Sequence, residues 1–202
     1  MKTYFITGIS TEVGKTVASA IITEALKADY WKPIQAGELD HCDTKKVQQL
    51  ISNTKSVFHK NSYALHTPMS PHAAAEIDGI TIETSTIKPP KTKNNLVIEG
   101  AGGLLVPLNN TKTILDIIPT NAEIIVVSRH YLGSINHTLL TLNLLEQKGF
   151  KTKLIFSGNK HKTTEDIILK MSNSELIGSI DEEPYFDKNV IKEYAQLFID
   201  KL

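Results

Sequence analysis

The stretch Gly8-Ile9-Ser10-Thr11-Glu12-Val13-Gly14-Lys15-Thr16 constrains the fold more than any other part of the chain. It follows a β-prone run, Thr3-Tyr4-Phe5-Ile6-Thr7, and opens a helix-prone run from Thr16 to Lys27. Strand, glycine-containing loop, Gly-Lys-Thr and helix, in that order, form a cradle for a nucleoside triphosphate. The loop's backbone N–H groups and the helix N-terminus turn partial positive charge toward phosphate oxygens. In such a cradle Lys15 sits on the outer phosphates and the Thr16 hydroxyl coordinates Mg²⁺. Five residues separate Gly8 from Gly14, one more than the usual motif has. The plain alternative is a glycine turn joining a strand to an ordinary helix. The fall of Gly-Lys-Thr at the strand–helix junction favours the phosphate loop.

Composition narrows the function classes. A chain of 202 residues is long enough for one domain, residues 1–202, with a full hydrophobic core. Lys plus Arg and Asp plus Glu both total 22, so no global basic field recruits nucleic acid or an anionic membrane. A lone cysteine, Cys42, argues against a disulfide framework or a multi-cysteine zinc site and fits the reducing cytoplasm. The first strand starts almost at the N-terminus, leaving no room for a signal peptide, and no apolar run reaches the length of a membrane span.

Beyond the first helix the pattern alternates. Tyr30-Trp31-Lys32 reads as a short strand stopped by Pro33, and Asp43 to Ile51 as a helix with Val47, Leu50 and Ile51 on one face. Asn61 to Pro71 reads as loop. Ser70 to Glu76 reads as a helix start with proline at its first position. Lys88 to Asn95 is a polar connector, the most flexible-looking stretch. Leu96–Glu99, Glu123–Ser128, Lys153–Ser157 and Leu176–Ile180 read as strands. Ser134–Lys148 (ended by Gly149), Thr163–Ser172 and Lys188–Leu202 read as helices. Repeated β–α units predict an α/β fold with a mostly parallel sheet covered by helices on both faces, and ligands at the carboxyl ends of the strands.

The chemistry-bearing residues fall at those ends. Glu99-Gly100-Ala101-Gly102-Gly103 puts a carboxylate at a strand tip, within reach of a metal held by a phosphate loop, followed by glycines that let backbone approach a ligand. Such a run alone is a common turn; coupled to a phosphate loop it gains meaning. Lys32-Pro33-Ile34-Gln35-Ala36-Gly37 places a lysine on the same rim. Asp43, a few residues later, is a candidate second Mg²⁺ ligand, or simply an acid in a helix's first turn.

Five segments in this order resemble the dethiobiotin synthetase family: Gly8 to Thr16 with its extra loop residue, Lys32 to Gly37, Ser70-Pro71-His72, Glu99 to Gly103, and Leu132-Gly133-Ser134-Ile135-Asn136-His137. The resemblance implies a P-loop-type three-layer sandwich. It implies an ATP- and Mg²⁺-dependent ligase joining carbon dioxide (or bicarbonate) to 7,8-diaminopelargonic acid as a cyclic urea. By that resemblance Lys32 orients a substrate carbamate, Lys15 bridges it to the γ-phosphate, and Thr11 contacts the carbamate region. Glu12, Val13, Gly14, Lys15, Thr16 and Val17 wrap the phosphates. Thr16, Asp43 and Glu99 hold the metal. Gly100, Ala101 and Gly102 line the nucleotide and substrate, and Asn159 reads the adenine edge. Ser134, Ile135 and Asn136 bind the substrate's carboxylate from the partner subunit of a homodimer. The chain departs from the family at Ser10, at Ala36, and at Asp181-Glu182-Glu183, which replaces a more apolar segment beside the adenine.

Three rival classes are weaker. Partitioning ATPase switches often carry an extra lysine early in the loop, where this chain has Ser10 and Thr11. Glutamine-dependent amide ligases need a glutaminase module, for which the chain has no room. Asn159-Lys160-His161-Lys162 lacks the acid that pairs with guanine in GTPases.

Overall fold

The computed structural model describes Met1–Leu202. Strand β1 (Thr3–Gly8) sits at its centre, and its side chains alternate between two buried clusters: Tyr4 and Ile6 enter one, Phe5 the other. The same alternation runs through β2 (Asp29–Trp31), β6 (Leu96–Glu99) and β7 (Glu123–Arg129), where Ile124 and Val126 face one way and Ile125 and Val127 the other. Strands buried on both faces must be near-continuously apolar, and a parallel sheet sandwiched by helices supplies that environment.

In chain order β1 is followed by α1 (Lys15–Leu26), β2, β3 (Ile34–Ala36), α2 (Asp43–Leu50), β4 (Phe58–His59), β5 (Tyr63–Leu65), α3 (Pro71–Ile77) and β6. Then come β7, α4 (Ser134–Gln147), β8 (Thr152–Ser157), α5 (Lys162–Met171), β9 (Glu175–Ile180) and α6 (Lys188–Phe198). The main sheet has the order β4-β2-β6-β1-β7-β8-β9, with every neighbouring pair parallel. Helices α1, α2 and α6 contribute Ile21, Val47 and Phe198 to the cluster on one face; α3, α4 and α5 contribute Ala74, Leu142 and Ile168 to the other. This is the expected three-layer α/β sandwich, and no helix is long and apolar enough to cross a membrane.

Two expectations need correcting. Asn61 to Pro71 is not wholly loop: Tyr63–Leu65 pairs in parallel with Ile34–Ala36 to form a separate two-stranded sheet. The last helix ends at Phe198 and tightens into a 3₁₀ turn over Ile199–Lys201. The Lys88–Asn95 connector has no strand or helix, yet it is tethered: Thr92 Oγ1 and Asn94 Nδ2 both donate to the buried Asp29 carboxylate.

Where α6 crosses β9 the approach is close. A Cβ on Gly178 would lie 2.5 Å from Phe198 Cε1, so only glycine lets the helix settle there. Gly178→Ala is expected to destabilise the protein by about 1–3 kcal/mol through overpacking, read from urea unfolding. A loss below about 0.5 kcal/mol, typical of a neutral surface change, would show that the helix moves aside freely.

Candidate active site

The phosphate loop spans from the end of β1 to the first residue of α1. Gly14 caps the helix at φ 92°, a left-handed conformation that favours glycine. A Cβ on Gly8 would stand 2.5 Å from Val13 Cγ2 and 2.9 Å from the Ser10 carbonyl, so the loop's fold depends on that glycine. The Lys15 ammonium curls back over the loop and donates to the Ser10 carbonyl at 2.9 Å. Ser157, at the end of β8, donates to the Val13 carbonyl at 2.7 Å and pins the far side of the loop. Glu12 is exposed, with φ 55°.

Glu99 is the hub. It ends β6, next to β1, and is 1% exposed. Its Oε1 accepts from Thr16 Oγ1 at 3.0 Å and from Lys32 Nζ at 3.1 Å; its Oε2 accepts from Tyr30 OH at 2.9 Å. Lys32 also donates to the Gly100 carbonyl at 3.3 Å and pairs with Asp43 Oδ2 at 2.6 Å. Lys32 follows β2 and is itself buried. Tyr30 and Lys32 are two residues apart, so an extended chain sends both to the same face of the sheet, where Glu99 receives them.

Asp43 is the first residue of α2. Its backbone N–H donates to Gln35 Oε1 at 3.2 Å, and the Gln35 amide in turn donates to the Gly37 carbonyl at 3.1 Å. Gly37 turns at φ 72°, and Pro68 lies 2.5 Å from where its Cβ would be. The buried Gln35 side chain thus ties Asp43 to the turn after β3.

The cluster's electrostatics follow from burial and pairing. Burial pushes the Lys15 ammonium down to about 8, with nearby Lys32 adding to the fall and Glu99 and Asp43 opposing it. Burial also works against the Lys32 ammonium, but Glu99 and Asp43 outweigh it and raise its pKa. Burial works against the Asp43 carboxylate, but Lys32 outweighs it and lowers its pKa. Burial, reinforced by Glu99 and Asp43, raises the Tyr30 phenol well above its usual range, so it stays protonated and donates.

The structure therefore brings Lys15, Thr16, Lys32, Asp43 and Glu99 together, as the sequence suggested. Gly102, at φ 68°, lies against the loop residue Thr11 and against Val106: its missing Cβ would stand 3.8 Å from Thr11 Cγ2 and 2.7 Å from Val106 Cγ2. Asn159 is exposed two residues beyond Ser157. Beside it, the Asp181 N–H is taken by Tyr194 OH, and Glu182 accepts from the Arg129 guanidinium at 2.9 and 3.0 Å. Ser134, Ile135 and Asn136 make no hydrogen bond to the lysine cluster. Gly133, at φ 102°, caps α4, and the Ser134 N–H is already given to the Tyr131 carbonyl at 2.9 Å. Tyr30 and Gln35 were missed from the sequence; the signal for Tyr30 was its i, i+2 relation to Lys32.

Two cavities flank this framework, and a further one lies apart from it. One of ≈ 500 Å³ runs along Ile9, Thr11, Leu104, Val106 and Leu140; another of ≈ 490 Å³ lies between Thr16, Val17, Lys46 and Phe186. A third, of ≈ 370 Å³, lies at the opposite ends of β7, β8 and β9 around Glu123, Thr152 and Glu175, away from Lys15 and Lys32.

Fold and loop together define a P-loop nucleotide-binding protein with an α/β sandwich. A family model described as an AAA domain matches residues 2–190. A protein of Christiangramia forsetii named ATP-dependent dethiobiotin synthetase BioD is 60% identical over 202 residues, covering 100% of this chain and 98% of the relative. Its namesake from Cytophaga hutchinsonii is 46% identical over 203 residues, covering 99% and 98%. The chain belongs to the ATP-dependent dethiobiotin synthetase family. Among solved structures, a plasmid partition protein from Borrelia burgdorferi matches with a TM-score of 0.61 at 17% identity, covering 100% of this chain and 99% of that one. The MinC:MinD cell division complex of Aquifex aeolicus matches with a TM-score of 0.53 at 16% identity, covering 99% and 93%. At such identities these likenesses concern the fold alone.

The buried charges carry a stability prediction. Removing one partner of a buried ion pair leaves the other uncompensated, at a cost of about 3–5 kcal/mol. Lys32→Met is expected to lose on that order in urea unfolding. Adding Glu99→Gln to the Lys32→Met background is expected to recover most of the loss. Additive losses in the double variant would show that the pair is not energetically coupled.

Proposed function

We propose that the whole chain, residues 1–202, acts as one ATP-dependent ligase domain in the cytoplasm, closing 7,8-diaminopelargonic acid and carbon dioxide into the cyclic urea of dethiobiotin. The observation that carries this reading is the convergence of Lys15 and Lys32 on one strand-end rim beside Thr16 and Glu99. An ordinary phosphate-loop ATPase needs one lysine on its phosphates. A second buried lysine, on a different strand end, suits a reaction that must hold a second anion next to the γ-phosphate.

The proposed course has three steps. An amine of the substrate adds to carbon dioxide, giving a carbamate and releasing a proton. A carbamate oxygen attacks the γ-phosphorus, ADP leaves, and a carbamic–phosphoric anhydride results. The second amine then attacks the carbonyl carbon, expels phosphate and closes the ring. Lys32 orients the carbamate and Lys15 lies between it and the γ-phosphate, with Thr11 beside them. Residues Glu12 to Val17 wrap the triphosphate with backbone N–H groups. Gly100 to Gly102 give substrate and nucleotide close access to backbone. Asn159 lies on the adenine side. The gain comes from positioning and from fixed positive charge where negative charge passes between groups.

Thr16, Asp43 and Glu99 supply only hard oxygen donors, brought near one another through Lys32 and the Thr16–Glu99 hydrogen bond. That donor set fits Mg²⁺, which uses one or two carboxylates plus substrate phosphates. When bound there, Mg²⁺ supplies charge neutralisation on the phosphates.

The ≈ 500 Å³ cavity leads from Thr11 along Leu104 and Leu140 and suits the substrate's apolar chain. Around it Leu105 and Leu140 are exposed. Such a set of apolar side chains on one surface calls for a covering partner. A homodimer that covers this face and lends the start of α4 (Ser134, Ile135, Asn136) to the substrate's carboxylate accounts for it.

The direct test is mass-spectrometric detection of dethiobiotin from purified protein with ATP, Mg²⁺, bicarbonate and 7,8-diaminopelargonic acid. Lys15→Ala is expected to lower kcat by about 10²–10³ or more, the loss typical of one transition-state donor. ATP hydrolysis that ignores the diamine would overturn the ligase reading. Subunit mixing tests the shared site. Because Ser134 is the first helical residue, where proline is tolerated, Gly133→Val is the better lesion, forcing a β-branched residue into left-handed backbone. Mixed with Lys15→Ala, two inactive proteins are expected to regain activity, since half of the sites in each mixed dimer carry neither defect. Demonstrated subunit exchange without recovery would refute the arrangement.

A further inference from the structure

The two oxygens of Glu99 live in different surroundings. Oε1 is shared by Thr16 and Lys32, both drawn from the face where nucleotide is proposed to bind. Oε2 has one recorded partner, the Tyr30 hydroxyl at 2.9 Å. Tyr30 has no exposed surface. Its strand is held on both sides, with Tyr30 paired in register with Val97 of β6 and Phe58 of β4, and its ring packs against Phe58 at 5.7 Å between centroids. A side chain so confined fixes the direction of its O–H, and through it the rotation of the carboxylate.

We propose that Tyr30 is a positioning residue for metal binding: by holding Oε2 it fixes the rotation of the Glu99 carboxylate, and with it where Oε1 stands relative to Thr16 and a bound cation. The inference rests on the reading of Thr16, Asp43 and Glu99 as the metal's ligands. Outer partners of ligating carboxylates orient them and tune affinity, typically by 10–100-fold. A carboxylate held in one rotation also suits the strict octahedron of Mg²⁺ better than the larger, more flexible shell of Ca²⁺, which accepts bidentate carboxylates. Tyr30 thereby contributes to the choice of cation as well as to its retention, without touching substrate.

Tyr30→Phe removes one hydroxyl and keeps the ring and its packing. Wild type and variant, loaded with a non-hydrolysable ATP analogue, are titrated with Mn²⁺ while free Mn²⁺ is read by electron paramagnetic resonance. Bound Mn²⁺ is then displaced with Mg²⁺ or Ca²⁺. The expected result is Mn²⁺ affinity about 10-fold or more weaker in Tyr30→Phe, with a narrowed preference for Mg²⁺ over Ca²⁺. Binding of the nucleotide without metal should change less than about twofold, because the hydroxyl acts only through Glu99. In a Glu99→Gln background, where the carboxylate is already gone, Tyr30→Phe should have no further effect. Unchanged Mn²⁺ affinity and cation preference in Tyr30→Phe would overturn the proposal. So would an equal loss of metal-free nucleotide binding, or additive effects in the double variant. If wild type itself held no Mn²⁺ with the analogue, the assignment of Glu99 as a ligand would fall first, and this inference with it.

Discussion

The buried contact between Lys32 and the carboxylates of Glu99 and Asp43 governs the arrangement of the site. Three elements meet through it: the end of β2, the end of β6 and the start of α2. Thr16 joins as a fourth through Glu99 Oε1. Charges this deep are stable only when paired and hydrogen-bonded. Lys32 touches both carboxylates, Lys15 is near enough to feel their charge, and Lys46, 3.9 Å from Asp43 Oδ1, is itself paired with Glu38, so positive and negative charges balance. The parallel sheet makes that possible, because β6 and β1 are neighbours and their carboxyl ends bring Glu99 to the phosphate loop.

Placing a lysine at a strand end does more than aim it. Lys32 follows two residues that divide between the sheet's faces: Tyr30 enters the cluster beneath α1 and α2, Trp31 the one on the other side. The period of two then sends Lys32 to the Tyr30 side, where α1 starts with Lys15. Pro33 stops the strand so that the chain can turn toward Gln35 and Gly37. Gln35 holds the N-terminus of α2, and with it Asp43. Local backbone chemistry thus fixes the distance between groups far apart in sequence.

The parts of this site that were legible in the sequence are those whose chemistry needs a fixed order of residues. Gly14-Lys15-Thr16 at a strand–helix junction and Glu99 before a glycine run could be placed on one strand-end rim from the sequence, and Thr16 and Glu99 do meet there. The long apolar strands were equally plain, being buried on both faces. The two- and three-residue strands β3, β4 and β5 were not. At that length neither alternation nor β-branching rises above loop composition, and the pairing of Ile34–Ala36 with Tyr63–Leu65 is set by tertiary contacts such as Gly37 against Pro68. Tyr30 and Gln35 escaped for a related reason. Each acts by holding another residue, and a tyrosine in an apolar strand reads as core until its hydroxyl is seen to meet a buried carboxylate.

The start of α4 shows where a matching sequence underdetermines geometry. Gly133-Ser134-Ile135-Asn136 read as a helix start with unpaired donors, yet the Ser134 N–H is taken by Tyr131 and the Gly133 φ of 102° sets the entry angle. Ile135 and Asn136, in that first turn, give their N–H groups to no acceptor outside the helix. A helix start that makes no hydrogen bond to its own chain's lysine cluster and retains donors for an anion is what the proposed dimer would use. On that argument the subunit contact and the binding of the substrate's far end are one problem. In the proposed dimer the exposed Leu105 and Leu140 beside the cavity would supply association energy, and the helix start brought along with them the polar contact.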